Sequence, residues 1–220
     1  MPNSARKSQK GRAALEKTST KQAILEAALD LFSVQGFEGT SVSQIADAVG
    51  IRKASLYSHF ESKQALLDAL LQETLKGYRE HSVFATADCG NSEFTDKIKH
   101  ITAEKASQMV REHIRYILHD PHISKGRKML VIEQFRNPEL SALFTTQNYT
   151  AVMQYFSKLT ELLIREGVFK EDDPEIMAAQ LCLPISAWIS LCDRHPSLEP
   201  QVMETVDRHI RQFFEIYGKQ

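Results

Sequence analysis

From residue 19 onward, apolar side chains recur three and four residues apart, which is the spacing of one face of an α-helix. Ser19 and Gln22 stand at capping-box spacing and start a first helix near Ser19 or Thr20. Ile24, Ala28, Leu31 and Phe32 fall on one face of it, and Gly36 is expected as its left-handed C-cap. After a short connection over residues 37–40, Ser41 and Gln44 repeat the capping-box spacing. Val42, Ile45, Ala46 and Val49 then occupy i, i+3, i+4 and i+7, and Gly50 closes this helix after about two turns. A third helix must begin at once, from Arg52. Glu61 and Ser62 open a fourth, with Leu66, Leu67, Leu70 and Leu71 as its stripe, running to about Tyr78.

Residues 82–92 are small and turn-forming and read as a loop. Residues 94–119 have helical pattern, broken at most once, and Asp120 with Pro121 ends it. A short helix is expected over 124–135. Asn137 and Pro138 start another that runs to Glu166, with Gly167 as its stop. Asp173 and Pro174 open the next, to His195. Pro196 and Pro200 bracket a turn, and a last helix runs to Tyr217 and Gly218. The chain therefore reads as all-α. With 42% hydrophobic residues, 9 glycines and 7 prolines in 220 residues, it has apolar side chains enough for a core and few helix breakers.

Net charge is -1, but it is unevenly spread. Residues 1–63 carry nine Lys and Arg against six Asp and Glu, +3, which leaves -4 for the rest. A basic end on an acidic body suits phosphate contact at that end, although a solvated basic tail has the same charge. Residues 1–18 are polar and basic and are expected to form a flexible arm. Cys89, Cys182 and Cys192 are odd in number, form no CxxC and follow no apolar leader, which suggests a reducing compartment. The apolar run 181–192 contains Pro184 and two serines and is too short to span a bilayer. A cytoplasmic protein without membrane contact is expected.

Two short helices joined tightly and backed by a supporting helix make the geometry that reads a DNA major groove. In the second of the pair, Ile51, Leu56 and Phe60 have core spacing. Arg52, Lys53, Ala54 and Ser55 are left facing outward. Arg and Lys donate to guanine O6 and N7, Ser bonds several base edges, and an Ala methyl meets that of thymine. Tyr57, His59 and Lys63 at the exit are suitable phosphate donors, and the helix N-termini at Ser41 and Ser62 add backbone N–H groups.

The run TSVSQIADAVGIRKASLYSHFESKQALLDALL, residues 40–71, with KQAILEAALDLFSVQGF before it at 21–37, resembles the TetR/AcrR family of bacterial regulators over about the first third of the chain. The resemblance implies that Ser43, Lys53, Ala54 and Ser55 face bases and that Thr40, Ser41, Tyr57, His59 and Lys63 meet the backbone. Ser58 stands where several members carry an aromatic residue. It also implies a three-helix DNA-binding head over 19–63 and a helical ligand-binding and dimerisation domain over 64–220.

In that family the last two helices pair across a homodimer. Leu181, Ile185, Trp188, Ile189 and Cys192, with Ile210, Phe213 and Phe214 on the last helix, form apolar faces that suit such pairing or packing within one chain. Two heads about 34–36 Å apart then reach successive major grooves of a near-palindromic operator. The middle helices of the family enclose an effector cavity. Met109, His113, Tyr116, Phe135, Phe144, Tyr149, Met153 and Phe156 are the candidates to line it, and they suit an apolar or aromatic small molecule; the same residues also serve as plain core.

No metal or other cofactor is expected. His113, His119 and His122 are separated by the helix break at Pro121 and form no i, i+4 ligand pair. Cys182 and Cys192, about 15 Å apart on one helix, cannot bridge. No phosphate-binding loop, nucleophile elbow or HExxH is present, so an enzyme is not expected. The reading is a ligand-responsive repressor released from its operator by a small molecule. The alternative is a DNA-bound scaffold or activator that recruits a protein through its helical body.

Overall fold

A computed structural model of the chain describes residues 19–81 and 91–219. The expected arm over 1–18, residues 82–90 of the expected loop, and Cys89 lie outside these. Among the described residues there are helices and no strand: α1 Thr20–Gly39, α2 Val42–Val49, α3 Lys53–Tyr57, α4 Lys63–His81, α5 Ser92–Ile98, α6 Ala103–His119, α7 Pro121–Glu133, α8 Pro138–Thr145, α9 Ala151–Arg165, α10 Pro174–Arg194 and α11 Glu199–Tyr217.

Local chemistry accounts for most of these bounds. The Ser19 hydroxyl accepts from Gln22 N–H, and Ser41 with Gln44 forms a complete reciprocal box that starts α2. Gly50 ends α2 in the left-handed conformation at φ 75, ψ 31. Gly36 behaves otherwise. It is no left-handed C-cap: at φ 79, ψ 167 it sits in a region open essentially to glycine alone, and α1 resumes beyond it for a last turn.

Other bounds differ from the expected ones. The segment 94–119 splits because Thr102 caps α6, its hydroxyl accepting from Lys105 N–H. Asp120 does not merely end α6. Its carboxylate accepts from the N–H groups of His122 and Ile123, and Pro121 takes the first turn of α7, so that helix begins before Ser124. The helix expected over 138–166 is interrupted by one π-helical turn at Thr146–Thr150 between α8 and α9.

Three apolar clusters hold the chain. The first joins α1–α4 to the body: Ile24, Phe32, Ile45, Leu56, Leu66, Leu67 and Leu70 pack with Met129 and Leu130 of α7 and Leu140 of α8. The second gathers α9, the start of α10 and the end of α11 around Phe156, Phe169, Met177 and Phe213. The third packs α6 against α10 and α11 through Val110, Ile114, Ile185, Cys192, Val206 and Ile210.

The residues expected at a dimer face take part in packing within one chain. Ile185, Cys192, Ile210 and Phe213 are buried within their own chain, and Leu181, Trp188, Ile189 and Phe214 are partly buried against the same clusters. α10 also leaves Ile176 exposed near its start, while Leu183 and Ala187, exposed further along, face a cavity. The apolar run 181–192 belongs to a helix of 21 residues, which by length and mean hydropathy (1.4) alone could cross a membrane; one of its faces packs on α9, α6 and α11.

Candidate nucleic-acid interface and effector cavity

A five-residue helix has no stability of its own, so α3 depends on its anchors. Leu56 is fully buried and Phe60 nearly so, and Ile51 is packed beside them. Burying one such side chain contributes roughly 1.5–3 kcal/mol. With that face committed, Arg52, Lys53, Ala54 and Ser55 are all exposed, as are Ser41, Ser43, Tyr57 and His59. The Lys53 ammonium lies 6.0 Å from the Tyr57 ring centre. Expected reading positions and expected phosphate contacts thus share one accessible surface around α3 and the start of α2.

Two residues expected at the phosphates are otherwise engaged. Thr40 is buried, and its hydroxyl donates to the Gly36 carbonyl at 2.8 Å. The Lys63 ammonium donates to the carbonyls of Phe37 (2.8 Å) and Thr40 (3.1 Å) and lies 4.2 Å from the Phe37 ring centre. Both serve the turn between α1 and α2, whose carbonyls need donors once α1 has ended. The Ser41 N–H is likewise taken, by the Gln44 side chain at 2.8 Å, so it is not open to a phosphate.

The same turn is held from the body. Phe37 N–H donates to Glu133 Oε1 at 2.8 Å across 96 positions of sequence, and Glu133 is fully buried. Sequence reasoning missed this residue. Its only signal is an acid inside the apolar run MLVIEQF, residues 129–135.

Behind the head lies a cavity of about 720 Å³, walled by α4, α6, α7, the segment from α8 to α9, and α10. His113, Phe144, Tyr149 and Phe156 line it as expected from sequence. Met109, Tyr116, Phe135 and Met153 do not. Phe135 is 90% exposed just past the end of α7. Tyr116 donates to the Gly77 carbonyl at 3.0 Å. Met153 packs in the second cluster, its sulfur 3.5 Å from Cys182 Sγ. Met109 is half-buried on α6, away from the lining. Lining residues not anticipated include Thr74, Tyr78 and Arg79 of α4, Arg127 and Leu130 of α7, and Leu183, Ile185 and Ser186 of α10.

Burial sets the chemistry of these walls. It pushes the His113 imidazole down to about 4, so this histidine is neutral near pH 7. It pushes the Cys182 thiol up to about 11. No group of three or more His, Cys, Asp or Glu side chains among the described residues could hold a metal ion.

Residues 24–70, which build the head, match the family described as bacterial regulatory proteins, tetR family. The head is similar to the DNA-binding domain of the TetR family. A curated relative, the probable HTH-type transcriptional regulator YttP of Bacillus subtilis, is 22% identical over 204 residues, 91% of this chain and 89% of YttP. The HTH-type transcriptional regulator RutR of Escherichia coli is 48% identical over 58 residues; that match covers 26% of this chain and 27% of RutR, so it concerns the head alone. Among solved structures, the complex of triclosan with SmeT, the repressor of a Stenotrophomonas maltophilia multidrug efflux pump, superposes with a TM-score of 0.64 over 91% of this chain and 92% of that one, at 16% identity, a likeness of TetR fold. With this head, the chain is similar to DNA-binding transcription regulators.

Proposed function

We propose that this regulator is a dimeric, cytoplasmic repressor that leaves a near-palindromic operator when a small apolar or aromatic molecule occupies the cavity. The observation that carries the reading is the double duty of α4. Its first half, through Leu66, Leu67 and Leu70, is part of the head core, and its second half, through Thr74, Leu75, Tyr78 and Arg79, is cavity wall. A ligand that prefers one position of α4 thereby biases the placement of the head, and a coupling of about 1–3 kcal/mol changes operator affinity roughly 5–150-fold. A repressor that binds a small molecule on this fold, SmeT with triclosan, supports the same reading.

In this reading Ser43, Arg52, Lys53, Ala54 and Ser55 meet base edges, while Ser41, Tyr57 and His59 meet phosphates. Two copies pair through the last two helices, where Ile176 of α10 and Ile216 of α11 are exposed. The cavity favours an effector over the scaffold alternative, which would suit a tightly packed body. The test is selection of bound sequences from random duplexes, followed by a compound library screened for release. Enrichment of an inverted repeat and release by at least one compound are expected. Tight binding that no cavity-sized compound relieves would sink the repressor reading.

A further inference from the structure

We propose that the cavity is built for a weak organic acid, an apolar body carrying one carboxylate, and that Arg127 reads the carboxylate. The inference rests on the effector reading above and narrows its ligand class.

The lining is lopsided in charge. Among the described residues, no Asp or Glu faces the cavity, whereas two guanidinium groups do. Arg79, on α4, is exposed and stands at the rim. Arg127, on α7, has a side chain only 12% exposed. Val110, Ile117, Leu130, Phe144, Val152 and Phe156 supply apolar wall for the rest of a ligand. His113, neutral for the reason given, adds no charge of either sign.

Arg127 is held but not satisfied. Its two terminal nitrogens both donate to the Asp193 carboxylate on α10, a forked pairing that fixes the plane of the guanidinium. Its Nε is buried and has no hydrogen-bond partner. Asp193 itself is not part of the lining. A carboxylate arriving from the cavity therefore meets a pre-oriented guanidinium whose terminal nitrogens each keep a second N–H beyond the one given to Asp193. An ammonium in the same place meets the two guanidinium groups with no acid on the cavity side, since Asp193 pairs with Arg127 from outside the lining. The volume, about 720 Å³, suits a small amphipathic acid with room left over. The position also matters for response, because Arg127 and Glu133 share α7, about 9 Å apart by helical rise. A head group seated on the one acts on the helix that holds the turn of the DNA head through the other.

The test compares three probes of one chain length, decanoate, decan-1-ol and decylamine, by titration calorimetry on the full chain without DNA. Decanoate is expected to bind about 10-fold tighter than decanol or better, with decylamine weakest. In the double variant Arg127→Met/Asp193→Leu, which leaves neither charge unpaired, decanoate should lose its advantage while decanol stays within about 3-fold of its original affinity. Retained decanol binding reports an intact cavity. Decylamine binding as tightly as decanoate, an acid preference that survives the double variant, or no binding by any of the three would overturn the proposal. Release from the operator by the wider library is read separately, so the effector reading can stand where the acid preference falls.

Discussion

The N–H of Phe37, one residue past the break in α1, is hydrogen-bonded to the buried carboxylate of Glu133 on α7 at 2.8 Å. The carbonyl of the same Phe37 accepts from Lys63 of α4. One peptide segment is thus gripped from the body on one side and from the start of the connecting helix on the other. Glu133→Gln keeps an acceptor for Phe37 and the same shape. Its thermal midpoint should stay within a few degrees, since the second carboxylate oxygen, Oε2, is buried without a partner. Glu133→Ala strands the N–H and opens a cavity, and should cost about 2–4 kcal/mol in denaturant unfolding. Equal loss in both variants would show that the hydrogen bond is not what holds the turn.

Tyr57 and Lys63, both candidates for phosphate contact in the sequence, separate in the structure. Tyr57, the last residue of α3, is 44% exposed. Tyr57→Ala should weaken binding to all duplexes alike, lower the salt slope little, and leave the melting temperature nearly unchanged. Lys63→Ala should lower the melting temperature and operator affinity together, because Phe37 and Thr40 lose their donor. Side-by-side anisotropy titrations and thermal melts decide between the two roles. Lys53→Ala should instead alter base preference, by about 1–3 kcal/mol at one position.

His113 gives the body a pH dependence of defined sign. Its folded value, about 4, lies below the ordinary 6.5, because burial disfavours the imidazolium. The unfolded chain therefore binds more protons between these values, and stability rises with pH across that window. The contribution is complete above pH 6.5 and is lost as pH falls toward 4, on the order of 3 kcal/mol in all. In His113→Phe the slope of unfolding free energy between pH 4 and 6.5 should flatten. An unchanged slope would place the titration elsewhere.

The exposed side of the last two helices makes the dimer testable. Ile176 of α10 is 53% exposed and Ile216 of α11 52% exposed. Ile176→Glu/Ile216→Glu should shift sedimentation toward monomer with little loss of helicity. Cys192→Ser, buried in the third cluster, should destabilise the fold without changing the association constant of what remains folded. The opposite pattern would place the interface at the clustered residues instead.

The head was legible because its signals are local. Ser41 with Gln44, Gly50, and the apolar positions of α2 act within a few residues, and α3 could be placed by elimination. The body was legible in helix content but not in orientation. Periodicity tells that Phe156 or Met153 faces inward, but not whether the inward side is a neighbouring side chain or a void; Phe156 meets the cavity and Met153 meets Cys182. Pro121 was ambiguous because a proline that ends one helix is equally fit to begin the next, and the Asp120 cap decides. Glu133 was invisible because its partner is distant in sequence and is a backbone N–H, which leaves no trace in residue identity.

The break at Gly36 has a consequence for anyone who rebuilds this regulator. A Cβ at this position would stand 2.3 Å from Glu133 Oε1 and 3.0 Å from Ile132 Cγ2, at a φ of +79 that other residues rarely adopt. The head and the body are therefore keyed like plug and socket. A chimaera that grafts a foreign head onto this body inherits the socket, and unless the graft brings a glycine in register with the acid, its two halves will meet crooked. Portability of the reading head is thus governed by a site that touches neither operator nor effector.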